Sequence, residues 1–367
     1  MSATLLSTPA DDSFYMPAEF APHRGCWLLW PERGDTWRLG AKPAQQAFVE
    51  VATAIAGSEP VRVGVSQAQY VNARALLPLN VRVIELSHND AWMRDMGPTC
   101  VVNKKGEVRA VDWMFNAWGG LQGGLYFPWD QDDLVAQKVI EIEGLPRYRA
   151  PFVLEGGSIH VDGQGTALVT EECLLNPNRN PNLDIGQIEL LLHEYLGIST
   201  VIWLGQGVYN DETDGHIDNL CCFVKPGEVA LTWTDNKRDP QYARSHDALR
   251  RLGEARDARG RKIKVHLLPQ PGPLHLSEQD VHGLDQSHVG KQRCAGDRLA
   301  ASYINFYIGN SVVVTPLLDK RHDSAVLAKL RRWFPKRKVV GVPAREILLG
   351  GGGIHCITQQ VPRIRRL

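Results

Sequence analysis

The chain has 367 residues, is 43% hydrophobic, and balances 41 Lys+Arg against 41 Asp+Glu, so it can bury a large core at zero formal net charge. That balance argues against nucleic acid or an anionic membrane surface as the main partner, while leaving room for a locally acidic pocket. No apolar run approaches a membrane span, and the opening MSATLLSTPADDSF lacks the basic and apolar regions of a secretory signal, so a cytoplasmic protein is expected.

In chain order, apolar residues recur at the helical period over 44–56 and 67–77, on either side of a β-rich run at 61–65. Strands follow at 81–86, 99–102 and 108–115, then a helix over 130–144 with an acidic start. A strand is predicted at 166–175, and NPNRNPNLD leads into a helix over 185–196. Next come strands at 200–204, 216–224 and 229–233, a helix over 241–258, strands at 263–268 and 311–315, a helix over 323–334 and a strand at 338–342. The order is mixed α/β without a linker or low-complexity block, so one domain over 1–367 is expected. A weak echo joins GGSIHV at 156–161, DGHIDN at 214–219 and GGGIHC at 351–356, and hints at repeated modules around a shared centre.

The seven cysteines are scattered and odd in number, as in a reduced inventory, and the adjacent Cys221 and Cys222 lack Cys-x-x-Cys spacing, so no zinc site is expected. Cys356 differs from the others because it follows Gly350 to Gly353, a run that lets backbone approach a ligand closely. On this segment alone it reads either as a nucleophile or as a buried small hydrophobe. If 216–224 is a strand, His216 and Asp218 share a face, and the alternative is a solvated acidic loop. Asp95 and Glu155 are carboxylates among apolar residues and turns, either site groups or, respectively, a partner of Arg94 and a cap on the Gly-Gly turn.

These five residues occur within MPAEF at 16–20, GCW at 25–27, WMRDMGP at 92–98, EGGSIH at 155–160, NDETDGHIDN at 210–219, WTDN at 233–236, AASYINFY at 300–307 and GGGGIHC at 350–356. By these motifs the chain resembles, over nearly its full length, the agmatine deiminases of the guanidino-group-modifying superfamily, a bacterial peptidylarginine-deiminase-like family. The resemblance implies a pseudo-fivefold α/β propeller of ββαβ modules and a homodimer or higher homo-oligomer. It implies that Asp95 and Asp218 clamp a guanidinium, that Glu155 pairs with His216 and the substrate, that His216 moves protons and that Cys356 attacks. No metal or organic cofactor is required for such chemistry.

A guanidinium stays protonated to a pKa of roughly 12.5 to 13.8, and carboxylate oxygens match its N–H fork. Either His216 or the substrate cation would ionise the thiol. Agmatine carries a distal ammonium and no carboxylate, so its site should offer acids at the far end. Glu212 is the first candidate there and Asp214 the second. Trp92 lies along the aliphatic linker or in the core, and Gly352 and Gly353 bring backbone to the substrate. The polar segment 275–297 reads as a lid or as a surface excursion. The rivals are a deiminase of free or peptidyl arginine and a non-catalytic guanidine- or polyamine-binding module. A papain-like protease fits poorly, because Cys356 follows His216 in the chain.

Overall fold

The strand Thr99–Val102 runs antiparallel to Val108–Met114, the chain passes through the helix Val135–Glu143, and Arg147–Val153 returns parallel to Val108–Met114. The computed structural model describes residues 3–285 and 291–363, and within them this hairpin, helix and parallel strand recur five times. His160–Val161 and Thr166–Thr170 pair antiparallel, Ile185–Leu196 follows, and Thr200–Leu204 lies parallel. Cys221–Lys225, Glu228–Trp233, Gln241–Glu254 and Lys264–Pro269 repeat the order, as do Tyr307–Ile308, Val312–Leu317, Asp323–Trp333 and Lys338–Pro343. Both ends of the chain make the fifth unit: Gln359–Pro362 is antiparallel to His23–Leu29, the helix Lys42–Ala56 intervenes, and Val61–Val65 and Val81–Glu85 add in parallel.

Local chemistry sets the punctuation. The helix Ile185–Leu196 opens on a capping box between Asp184 and Gln187 and ends at Gly197, whose φ of 67° is the left-handed cap that glycine favours. Trp27, Trp37, Trp92, Trp118 and Cys356 belong to one buried apolar cluster, so the core of the chain-end unit runs directly into the Cys356 loop. No helix among the described residues is long and apolar enough to cross a membrane.

The elements expected at 61–65, 99–102, 185–196 and 200–204 form with those bounds. Others take different bounds, among them the helix expected over 241–258, which stops at Glu254. The strand expected at 166–175 stops at Thr170, whose hydroxyl accepts from the Cys173 amide and caps the helix Glu171–Leu174. The strand expected at 216–224 begins only at Cys221, because the positive φ of Asp214 (62°) and Gly215 (81°) turns the chain into the helical turn Ile217–Leu220. The shared strand face of His216 and Asp218 is therefore replaced by a helix entry. The expected helix over 67–77 divides into the 3-10 turn Gln67–Gln69 and Tyr70–Leu76, and that over 130–144 starts at Val135.

In every unit a short turn precedes the first strand. These turns are Met93–Met96, Gly156–Ser158, Ile217–Leu220, the segment 302–306 and the segment 354–357. On them, or one residue before them, lie Asp95, Glu155, His216 with Asp218, Asn305 and Cys356.

Candidate active site

Gly157 is where these turns converge. A Cβ there would stand 2.6 Å from His216 Nδ1, 2.8 Å from Asp95 Oδ1 and 3.0 Å from Asp218 Oδ2. The Gly157 amide donates to Asp95 Oδ1 at 2.8 Å, and the Trp118 indole donates to Asp95 Oδ2 at 3.0 Å. Asp95 is thus not paired with Arg94, whose guanidinium reaches Gln359, Gln360 at 2.8 Å and the His355 carbonyl at 3.3 Å. Burial, helped by the nearby Asp218 and Glu155, pushes Asp95 up to about 6 despite the opposing pull of His216.

Glu155 is fully buried, and its Oε1 accepts from Arg179 Nε at 2.6 Å. It does not cap the Gly-Gly turn with its side chain. Its Oε2 has no hydrogen-bond partner and lies 3.9 Å from His216 Nε2, while His216 Nδ1 lies 3.8 Å from Asp95 Oδ2. Burial opposes charge on His216, yet Asp95, Cys173 and Glu155 outweigh it and hold the ring well above its ordinary pKa.

Cys356 is 5% exposed. Its Sγ is 3.2 Å from Asn305 Nδ2 and 3.7 Å from Asp218 Oδ2. Burial, then the charges of Asp218 and Asp95, push the thiol well above its ordinary range. Burial would also raise Asp218, but the bond and charge of His355, with help from His216 and Arg94, hold it below its ordinary value. Asp218 Oδ1, like Glu155 Oε2, is buried without a hydrogen-bond partner. Two unanswered anionic acceptors in one site are what a guanidinium would satisfy.

A cavity of about 350 Å³ leads to this cluster, walled by Asp95, Cys356, Trp92, Trp118 and Gly350 to Gly352. His216, Glu155 and Asp218 are not on its wall and are at most 1% exposed. The Trp92 ring stacks on Trp37 at 4.9 Å, and both indoles donate to Asp90, at 3.0 and 2.6 Å. Among the four glycines only Gly351 has a positive φ (111°). Gly352 is bare because a Cβ would come within 2.5 Å of the Trp92 ring, and Gly353 because it would come within 2.3 Å of Asn305 Oδ1.

The two amine-end candidates carry internal partners. Glu212 bonds Arg293 at 2.7 Å and lies 3.7 Å from Lys291. Asp214 accepts from Arg179 at 2.6 Å and from Asn178 at 2.9 Å. Of the polar segment 275–297, positions 286–290 lie outside the described residues, and Val281, Leu284, Asp285 and residues 291–295 reach the cavity wall.

Two buried groups have metal-ligand character among the described residues: Glu19 with His160 and His355, and Glu155 with Cys173 and His216. In the first, His160 Nδ1 accepts from the Phe223 amide, so Nε2 bears the proton and cannot ligate. In the second, the Arg179 guanidinium on Glu155 opposes a divalent cation.

Sequence reasoning assigned no role to Asn305, Arg179, Trp118 or His355. Asn305 did fall inside AASYINFY, and its placement just before a first strand repeats that of Asp95 and Cys356.

The family model for Porphyromonas-type peptidyl-arginine deiminase matches residues 15–362. An agmatine deiminase of Ectopseudomonas mendocina is 58% identical over 361 residues, 98% of each chain. One from Pseudomonas aeruginosa is 57% identical over 362 residues, again 98% of each. The solved agmatine deiminase of Enterococcus faecalis superposes with a TM-score of 0.97 at 48% identity, covering 100% of both chains. The chain belongs to the Porphyromonas-type peptidyl-arginine deiminase family, among its agmatine deiminases.

Proposed function

We propose that this enzyme hydrolyses agmatine to N-carbamoylputrescine and ammonia through a covalent amidino-cysteine at Cys356. The observation that carries the reading is Asp218, whose Oδ2 lies 3.7 Å from the Cys356 thiol and 3.0 Å from the bare Cβ position of Gly157. Carboxylates to hold a planar cation and a thiol to attack its carbon are thus within one side chain's reach.

Asp95 and Asp218 clamp the guanidinium nitrogens, and Glu155 Oε2 takes a third N–H. The thiol of the free enzyme is protonated, and the arriving cation offsets the surrounding acids so that the thiol gives its proton to solvent and thiolate forms with substrate bound. The sulfur attacks the central carbon, and His216 gives its proton to one nitrogen, which leaves as ammonia. The amidino-thioether remains on Cys356. Neutral His216 then takes one proton from water as its oxygen adds to the same carbon, the C–S bond breaks, and the second water proton passes to the departing sulfur, leaving the neutral ureido product and the thiol. No cofactor enters these steps.

At the far end, the substrate ammonium takes Glu212, displacing the Arg293 and Lys291 contacts. Supporting this, Glu212 Oε2 lies 2.6 Å from where a Cβ on the cavity-lining Gly351 would stand. Asp214 anchors Arg179 and through it Glu155, and Trp92, Gly352 and Gly353 wall the linker. The five units form a single-domain, closed pseudo-fivefold propeller, a reading supported by the pairing of Gln359–Pro362 with His23–Leu29 across the chain ends. A second reading, free arginine as substrate, has Lys291 and Arg293 on the cavity wall in its favour, since they suit an α-carboxylate.

Mass spectrometry of enzyme quenched during turnover tests the first reading. An amidino adduct on Cys356 with agmatine, absent with arginine and a blocked arginyl peptide, is expected. An adduct formed faster with arginine would transfer the reading to the second substrate, and no adduct with any of them would remove the nucleophile.

A further inference from the structure

We propose that His355, whose two ring nitrogens bond Asp218 and Glu19, is a doubly protonated positioning residue that keeps Asp218 ionised and aimed at the substrate guanidinium. The inference rests on the reading of Asp218 as a guanidinium clamp.

The geometry is a buried chain of charges. His355 Nδ1 lies 2.8 Å from Asp218 Oδ2, and Nε2 lies 3.1 Å from Glu19 Oε2, with all three residues at most 4% exposed. An ionised carboxylate only accepts hydrogen bonds, so a ring with a carboxylate oxygen at each nitrogen must carry a proton on both. That makes His355 a cation with no rotational choice.

Glu19 is built to be the distant anion. Its Oε1 accepts from the Ile308 amide at 2.8 Å, and its Oε2 receives His355 and, at 3.5 Å, His160 Nε2. Because His160 Nδ1 accepts from the Phe223 amide at 3.2 Å, Nε2 is the protonated nitrogen of that neutral ring. Glu19 therefore faces donors only. The His160 and His355 rings face each other at 6.0 Å, with their planes 29° apart.

Asp218 and Glu19 are the two carboxylates of the bridge; Arg94 acts on both, Arg337 acts on Glu19, His160 Nε2 faces Glu19, and His216 and Cys356 face Asp218 from the substrate side. Of these groups only His355 hydrogen-bonds both carboxylates. Without its charge the two buried carboxylates lose the cation between them, and Asp218 takes a proton more readily. A protonated Asp218 cannot clamp a guanidinium. His355 thus acts through Asp218 without touching the reacting atoms.

The test is His355→Gln, which reaches one carboxylate at a time and bears no charge. KM for agmatine should rise about tenfold with kcat within about threefold, and the acid limb of kcat/KM, set by Asp95 alone in the parent enzyme, should become steeper as protonation of Asp218 joins it. A lowered kcat with unchanged KM and pH profile would show a packing role and overturn the proposal. Should the variant not fold, nitrogen-15 NMR of histidine-labelled wild-type enzyme decides: two ring protons on His355 at pH 8 are expected, and one would overturn it. Asp218→Asn separates the layers of the argument. If it leaves KM unchanged, the clamp reading has failed; if it raises KM while His355→Gln does not, this inference alone has failed.

Discussion

Asn305 holds both the thiol of Cys356 and the backbone beside it: Nδ2 donates toward Cys356 Sγ at 3.2 Å, and Oδ1 accepts from the His355 amide at 2.8 Å. A donor at sulfur favours thiolate, and the acceptor fixes the turn that carries it. Asn305→Ala should therefore cost about 1.5 to 3 kcal/mol, or roughly ten- to a hundredfold in kcat/KM. Asn305→Asp should cost more, since it places another anion beside the thiol. Steady-state kinetics with circular dichroism as a folding control measures both, and wild-type kcat/KM in the alanine variant would rule out the role.

The pH profile follows from Asp95. With its carboxyl pushed up to about 6, kcat/KM should fall about tenfold per pH unit below that point, as protonation removes the clamp. The sign for stability is opposite. The folded state holds this proton more tightly than the unfolded chain, whose Asp titrates near about 3.9, so the Asp95 contribution to stability declines as pH rises between those values. An activity profile flat down to pH 5 would contradict the assignment.

Thiol reactivity reports on how Cys356 ionises. Buried among acids, it should be slow to alkylate in the free enzyme at neutral pH, with the rate of inactivation by iodoacetamide still climbing above pH 9. The measurement is made on a Cys294→Ser variant, because the exposed Cys294 lines the same cavity and its alkylation would also block substrate. A plateau reached by pH 7 would instead mean a preformed thiolate paired with His216.

How much of this was readable in the sequence depended on whether the signal was local. Strands such as Val61–Val65 and Thr200–Leu204 are β-branched and turn-bounded, so their physics lies within a few residues. His160–Val161 and Tyr307–Ile308 are two residues long and exist only because a neighbouring strand pairs with them. Asp95, Glu155, His216, Asp218 and Cys356 stood out as chemistry-bearing groups beside glycine turns. Arg179 and Asn305 did not, since an Arg in an Asn/Pro-rich loop and an Asn before an aromatic look ordinary until tertiary contact brings them to Glu155 and Cys356. The strand drawn through 216–224 failed because β-branched and apolar residues outvoted one glycine whose positive φ starts a helical turn.

Arg179 is a case where a buried pair can be dissected. The residue is 4% exposed, and its guanidinium joins Glu155, Asp214 and two backbone carbonyls. Arg179→Met strands a buried carboxylate, which should cost about 3 to 5 kcal/mol and abolish activity. Adding Glu155→Gln removes the stranded charge and should recover part of the lost Tm while leaving the enzyme inactive. Purely additive Tm losses in the double variant would show that the two side chains are not coupled.

The most economical disruption of the site is a single methyl group. The φ of Gly157 is not in the left-handed region, so alanine fits the backbone, yet its Cβ would stand 2.6 Å from His216 Nδ1, 2.8 Å from Asp95 Oδ1 and 3.0 Å from Asp218 Oδ2. These contacts are far inside van der Waals distance, and each of the three residues is held by other partners, so the turn and the site must shift together. Gly157→Ala should cost about 1 to 3 kcal/mol of stability, as overpacking of a tight interior does. Activity should suffer much more, by about a hundredfold or greater, because even about 1 Å of misplacement breaks the alignment of clamp and proton donor. Thermal melts and kcat/KM measured on the same preparation separate the two effects. A variant with near wild-type turnover would show that the convergence on Gly157 is not where the guanidinium is held.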